Sequence, residues 1–205
     1  IPGGFSAGDE PEGSGKFITA SLRNSGIADA ISDLLDNRDG LALGICNGFQ
    51  ALIKLGLVPF GKICDMTPDS PTLTFNNIGR HQNKYARTKI MTNKSPWLSL
   101  CTPGEIYDIP LSHGEGKFVA SEDFVRKLAA NGQIATCYVD LDGNFAANTD
   151  FNANGSICAI EGITSPDGRV LGKMGHTERY ESDLTKNIPG NKYQKIFESG
   201  VAYFL

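Results

Sequence analysis

Leu43-Gly44-Ile45-Cys46-Asn47-Gly48-Phe49-Gln50 joins a short apolar run to a stretch of helical spacing, with only a cysteine at the junction. Leu41 to Ile45 is apolar toward both faces, the mark of a central parallel strand. Phe49, Leu52 and Ile53 then recur as one side of a helix does. Strand, tight turn and helix put Cys46 on an elbow that lifts its sulfur above the sheet edge. Gly44 and Gly48 allow the sharp turn and the close backbone approach. The helix dipole and the open N–H groups at such a terminus favour thiolate, the reactive form of cysteine. Taken alone, Cys46 fits equally well a small buried residue filling core space.

Working outward, Ile27, Ile31, Leu34 and Leu35 share one face, so residues 26–36 read as an amphipathic helix. Asn37-Arg38-Asp39-Gly40 closes it, with the glycine suited to the C-terminal turn. Upstream, Ile1-Pro2-Gly3-Gly4-Phe5-Ser6 reads as the end of a strand entering a glycine loop. Gly13-Ser14-Gly15-Lys16 lacks the Walker spacing and reads as a flexible helix entry. Downstream, residues 88–91 and 106–109 read as strands, and Ser95-Pro96-Trp97 as a helix start. Ser121 caps a helix carrying Phe124, Val125 and Leu128. Residues 134–139, 156–164 and 169–174 follow as strands, the last two joined by a Pro166-Asp167-Gly168 turn. The pattern predicts an α/β fold: a flavodoxin-like open, mostly parallel sheet with helices on both faces.

A cysteine nucleophile needs a base and a group to orient that base. Lys173-Met174-Gly175-His176-Thr177-Glu178-Arg179 offers both, since Glu178 can lie beside the His176 ring and hold its tautomer. Ser112-His113-Gly114-Glu115-Gly116 contains the same histidine–carboxylate spacing inside a glycine-flanked, substrate-facing loop, and spacing alone does not choose between the two histidines. His81 has no such neighbour and reads as a loop or surface residue. An oxyanion site needs N–H donors; the amide of Asn47 is one by position, and Gly3-Gly4 can turn a second inward.

The 205 residues suffice for one good core, and 40% apolar with 20% charged residues is ordinary for a globular chain. A net charge of −4 gives no reason to expect nucleic acid as a partner. No apolar run is long enough for a bilayer. The five cysteines are scattered without a CxxC pair, and the three histidines form no HExxH. Reduced thiols in a cytosolic enzyme without a metal are therefore expected, with Cys64, Cys101, Cys137 and Cys158 structural.

These motifs resemble the class I, triad-type glutamine amidotransferases, and within them the glutaminase domains of phosphoribosylformylglycinamidine synthases. The resemblance rests on Gly3-Gly4-Phe5-Ser6-Ala7-Gly8-Asp9, Gly44-Ile45-Cys46-Asn47-Gly48-Phe49-Gln50, Ser112-His113-Gly114-Glu115-Gly116, residues 152–163 and His176-Thr177-Glu178-Arg179. It implies hydrolysis of glutamine to glutamate and ammonia through a γ-glutamyl thioester. Cys46 would be the nucleophile, His176 the base and Glu178 its orienter. Gly4 and Asn47 match the oxyanion-hole positions, and Gln50 a substrate-holding position. His113 falls in a signature loop at the substrate, outside the triad. Ammonia would pass to a synthetase domain or subunit, which would use ATP and magnesium in converting formylglycinamide ribonucleotide to its amidine. This chain itself would carry no cofactor. A catalytically silent docking domain and another cysteine hydrolase of the same fold are the alternatives.

Two departures stand out. The family more often carries proline on both sides of the catalytic histidine, where this chain has Gly175 and Thr177, so a looser loop is expected. The family also places a strand–helix–strand unit ahead of the glycine loop, so residues 1–205 are expected to be a domain cut from a longer chain. Asp9-Glu10-Pro11-Glu12 suggests the long single-chain synthase.

Overall fold

The computed structural model describes residues 1–4 and 13–205. The expectations that fall on residues 5–12, from Phe5 of the glycine loop to the acidic run ending at Glu12, lie outside the described residues. Helices α1 (Lys16–Leu22) and α2 (Ser25–Asp36) lead to β1 (Ala42–Ile45), which turns through Cys46 into α3 (Asn47–Leu55) and the single turn α4 (Leu57–Phe60). Then come β2 (Thr72–Phe75), β3 (Gln82–Ile90), β4 (Ile106–His113), β5 (Glu115–Val119) and α5 (Glu122–Ala130). β6 (Ile134–Tyr138), β7 (Ile160–Thr164), β8 (Val170–Lys173) and α6 (Ile196–Ala202) complete the order.

Six strands form one sheet in the order β1-β8-β7-β6-β3-β4, and β2 pairs with β5 beside it. The α/β class stands, but the parallel character needs a correction. β1 and β8 pair in parallel, Ile45 opposite Lys173, whereas the other neighbouring pairs are antiparallel. By direction, β1, β8, β6 and β4 run one way while β7 and β3 run against them. The short turn at Pro166-Asp167-Gly168 requires this, because a few residues can return a chain only antiparallel. Nor is β1 central among the described strands; it stands at one end of the order. Ile1 lies against its open edge, its amine donating to Leu43 O at 2.6 Å and its carbonyl accepting from Ile45 N at 3.1 Å.

Alternation along the strands feeds two cores, one on each face. Val170 and Cys137 join Phe49, Leu52, Leu35, Val125 and Leu128 beneath α1 to α5. Leu171 and Ala135 face the other way, toward Ile90, Leu98, Tyr107 and Ile196 of α6. Ser121 caps α5 as expected, its hydroxyl accepting from Phe124 N at 3.2 Å, and Ser95 starts only a three-residue turn over Pro96–Leu98. The turn after α2 is closed by Asp39, which takes the left-handed conformation expected of Gly40 (φ 51°). Gly40 matters for space instead, because a Cβ there would press into the Leu34 side chain and carbonyl. The segment expected as a glycine loop at residues 112–116 is a tight strand junction: His113 ends β4 and Glu115 begins β5. Residues 156–159 form an irregular turn with Cys158 and Ala159 left-handed, so β7 starts later than expected.

Candidate active site

The elbow is as strained as its sequence requires. Cys46 sits at φ 52° and ψ −107°, a conformation that non-glycine residues rarely adopt. It persists because both sides of it are fixed. Cys46 N–H donates to Lys173 O on β8 at 2.8 Å, and its carbonyl accepts from Gln50 N at 3.0 Å in the first turn of α3. Gly44 and Gly48 allow the approach, since a Cβ on Gly44 would stand 2.7 Å from the Gly48 carbonyl. A Cβ on Gly48 would press into the Ile1 carbonyl.

β8 delivers the partner. Directly after it His176 turns its ring inward, 1% exposed, and its Nδ1 lies 2.6 Å from Glu178 Oε1. Burial pulls the Glu178 carboxyl up, but the bond and the charge of His176 outweigh this and hold it below the usual carboxylate range. An ionised carboxylate accepts, so Nδ1 carries the proton and Nε2 presents its lone pair. That Nε2 is buried with no hydrogen-bond partner among the described residues. Gly3 lies between base and nucleophile: a methyl group there would stand 2.5 Å from His176 Cε1 and 3.1 Å from Cys46 Cβ. The histidine therefore faces the cysteine with a bare glycine wedged beside them.

The thiol does not follow the expectation from the helix terminus. Burial, the largest influence, pushes Cys46 up to about 11; the N–H groups of Asn47 and Gly4 and the charge of Arg179 pull down, and Glu178 adds to the rise. The resting group is thus a thiol, donating weakly to Ser112 O at 3.7 Å. The same N–H groups of Asn47 and Gly4 face the sulfur from two chain segments, as donors for a developing oxyanion must.

The rival histidine is placed differently. Asn76 Nδ2 donates to His113 O at 2.8 Å and to Arg80 O at 3.1 Å, which turns Asn76 Oδ1 to His113 Nδ1 at 3.2 Å. His113 therefore carries its proton on Nδ1, where the Asn76 amide oxygen stands in place of a carboxylate. Burial, with help from His176 and His81, lowers it to about 4. Glu115 instead accepts from Ser14 N at 3.1 Å, pinning the entry to α1. Gln50 donates to Glu115 O at 2.5 Å. His113, Gln50, Cys46, Gly4, Ser14 and Arg179 line one polar cleft above the elbow, with Ser112 and Gly114. Sequence reasoning missed Ser14 in this set, and Asn76, which holds His113. His81, expected at the surface, is exposed, though its Nε2 meets Ser112 Oγ at 3.1 Å.

A larger cavity, about 550 Å³, lies elsewhere: an apolar trough between Ile1, β1, α2, Trp97 and Phe197. Of its lining only Glu178 is charged, so it offers little to orient an amide substrate. Among the described residues no helix is long and apolar enough to cross a membrane.

A buried cysteine on a strand–helix elbow, facing a carboxylate-oriented histidine with two backbone donors at its sulfur, has the parts that acyl transfer through a covalent cysteine intermediate needs. The chain belongs to the CobB/CobQ-like glutamine amidotransferase domain family, whose model matches residues 1–204. It is 34% identical over 199 residues to the phosphoribosylformylglycinamidine synthase subunit PurQ of Salinibacter ruber, covering 97% of this chain and 75% of that protein. The subunit of the same name from Methanococcus maripaludis is 36% identical over 224 residues, covering 100% and 79%. Among solved structures, that of PurLQS from Thermotoga maritima is similar at 28% identity and a TM-score of 0.70, over 99% of this chain and 77% of that one.

Proposed function

We propose that this domain hydrolyses glutamine to glutamate and ammonia through a Cys46 thioester. The cleft holds the glutamine side chain over the sulfur, with Gln50 and His113 among its walls. Cys46 gives its proton to His176 Nε2 as the sulfur attacks the amide carbon. The tetrahedral oxyanion is held by the N–H groups of Gly4 and Asn47. His176 returns the proton to the leaving nitrogen, releasing ammonia and the thioester. A water that loses its proton to His176 Nε2 then attacks the thioester carbon, and Nε2 returns that proton to the departing sulfur, freeing glutamate and restoring the thiol. Throughout, Glu178 stabilises the charged imidazole and keeps Nε2 directed at the reacting atoms.

The observation that carries this reading is the 2.6 Å contact from His176 Nδ1 to Glu178, with the His176 ring and the Cys46 side chain both packed against Gly3. Its relatives' names extend the reading: the ammonia serves a synthetase partner that converts formylglycinamide ribonucleotide to its amidine in purine biosynthesis. ATP and magnesium belong to that partner in this account. The test is labelling of Cys46 by a chloroketone analogue of glutamine, located by peptide mass spectrometry. Labelling at Cys46 that glutamine suppresses is expected. Labelling spread over other cysteines, or indifferent to glutamine, would refute the proposal.

A further inference from the structure

Lys173 is a charged side chain with no exposure at all, at the end of β8 beneath the elbow. Its Nζ donates to Gly175 O at 3.1 Å and to Thr177 Oγ1 at 2.7 Å, and lies 3.8 Å from Glu161 Oε1. Two ammonium protons thus meet the Gly175 carbonyl and the Thr177 hydroxyl, with the Glu161 carboxylate at ion-pair distance. Glu161, 1% exposed on β7, accepts from Gly175 N at 2.5 Å through Oε1 and from the Thr136 hydroxyl through Oε2. Thr177 passes its own proton on to Gln194 Oε1 at 2.7 Å. Every one of these bonds, apart from that of Thr136, reaches the two residues flanking His176 or continues from them.

Burying an ion pair is expensive, and a hydrophobic pair of similar size is often as stable. A pair retained in such a place calls for a reason other than stability. The backbone of Lys173 supplies one, because its carbonyl accepts the Cys46 N–H at 2.8 Å. One residue therefore holds the nucleophile with its main chain and the base loop with its side chain. Gly175 fits the same purpose: a Cβ there would stand 2.7 Å from Ile109 Cγ2, 3.0 Å from Glu161 Oε1 and 3.2 Å from Lys173 Nζ. The loop expected to be loose is thus clamped, and the glycine is what lets the clamp close. Burial lowers the Lys173 ammonium, while Glu161 and Glu178 oppose the change.

Resting on the proposed glutaminase chemistry, we infer that Lys173, Glu161, Thr177 and Gln194 form a buried clamp that sets His176 against Cys46, with Lys173 as the positioning residue common to both. None of the four is among the residues lining the polar cleft. Loss of the clamp should therefore slow chemistry without weakening substrate binding. Displacements of about 1 Å at a reacting group cost on the order of 100-fold.

The experiment uses the full chain and the glutamine chloroketone, with its maximal inactivation rate and its half-saturating concentration read separately from pH 5 to 10. Thr177→Val removes the shared hydroxyl at constant shape; a rate about 10- to 100-fold lower is expected, with half-saturation within about threefold of the parent. Thr177→Ser, which restores the hydroxyl, should recover the rate. Lys173→Met alone strands Glu161 and can unfold the chain, so it is paired as Glu161→Gln/Lys173→Met. That double variant should melt cooperatively, stay slow and show a displaced pH profile. A folded Thr177→Val or double variant with the parent's rate and pH profile would overturn the clamp. Absence of glutamine-protected labelling in the parent chain would instead remove the glutaminase reading beneath it.

Discussion

Glu178→Gln isolates the part of the site that does no bond-making. The carboxylate accepts from His176 Nδ1 at 2.6 Å and is held below the usual range despite partial burial. A glutamine can turn its amide nitrogen to Nδ1 and donate there. The proton would then sit on Nε2, which could no longer accept from Cys46. The corresponding change in a serine triad costs about 10⁴-fold in kcat by this tautomer effect. The Glu178 side chain is 32% exposed here. Water can compete for Nδ1, and roughly 10²- to 10³-fold is the expected loss. That corresponds to about 3 to 4 kcal/mol of transition-state stabilisation. The assay is single-turnover formation of the Cys46 thioester from glutamine, followed by quenching and intact-mass measurement. Thermal melting should change little, because the removed charge is near the surface. A thioester rate within threefold of the parent would show that Glu178 does not set the tautomer, and the triad assignment would fail with it.

Gly3→Ala should cut thioester formation by roughly 10- to 100-fold, since its methyl would stand 2.5 Å from His176 Cε1 and force the ring aside; a rate equal to the parent's would mean that His176 does not need that place. Alkylation of Cys46 by a neutral reagent should keep rising toward pH 11, the value set mainly by burial; a plateau by pH 7 would reveal a thiolate already formed at rest. His113, lowered to about 4 from a usual 6.5, binds fewer protons folded than unfolded between those values, so its contribution is complete above pH 6.5 and is lost as pH falls toward 4. Full loss amounts to about 3 kcal/mol, so urea midpoints should fall over this window in the parent and fall less in His113→Gln; equal acid sensitivity would contradict the buried neutral histidine.

What could be read in the sequence was what spacing along the chain determines. The elbow at Cys46 needs only a strand, two glycines and a helix in succession, and the histidine–carboxylate pair needs only one intervening residue. Choosing His176 over His113 was beyond spacing, because the decision lies in partners distant in the chain. Asn76 occupies His113 from 37 residues away, while β8 pairs beside β1 and carries His176 to the cysteine. Strand direction was legible only at the short Pro166-Asp167-Gly168 turn, which returns β8 antiparallel to β7; β3 runs against β6 and β4 through contacts that no local pattern records. Helix α6 escaped notice since only Ile196, Ser199 and Gly200 are buried in it, too few to leave a periodic signature.

The resting state of the nucleophile was misjudged for a more instructive reason. A helix terminus is visible in sequence and favours thiolate, but the opposing effect is burial, which is set by the whole fold. Cys46 is 4% exposed beneath the cleft, and desolvation overrides both facing N–H groups. The consequence reaches the mechanism. A thiol that holds its proton until a base removes it depends on where His176 stands in a way that a preformed thiolate would not. Lys173 reads in sequence as one more strand residue, yet its carbonyl and its ammonium reach both partners of that transfer. Burial that silences the thiol at rest therefore raises the demand on the loop beside it, and the buried charges under that loop answer the demand.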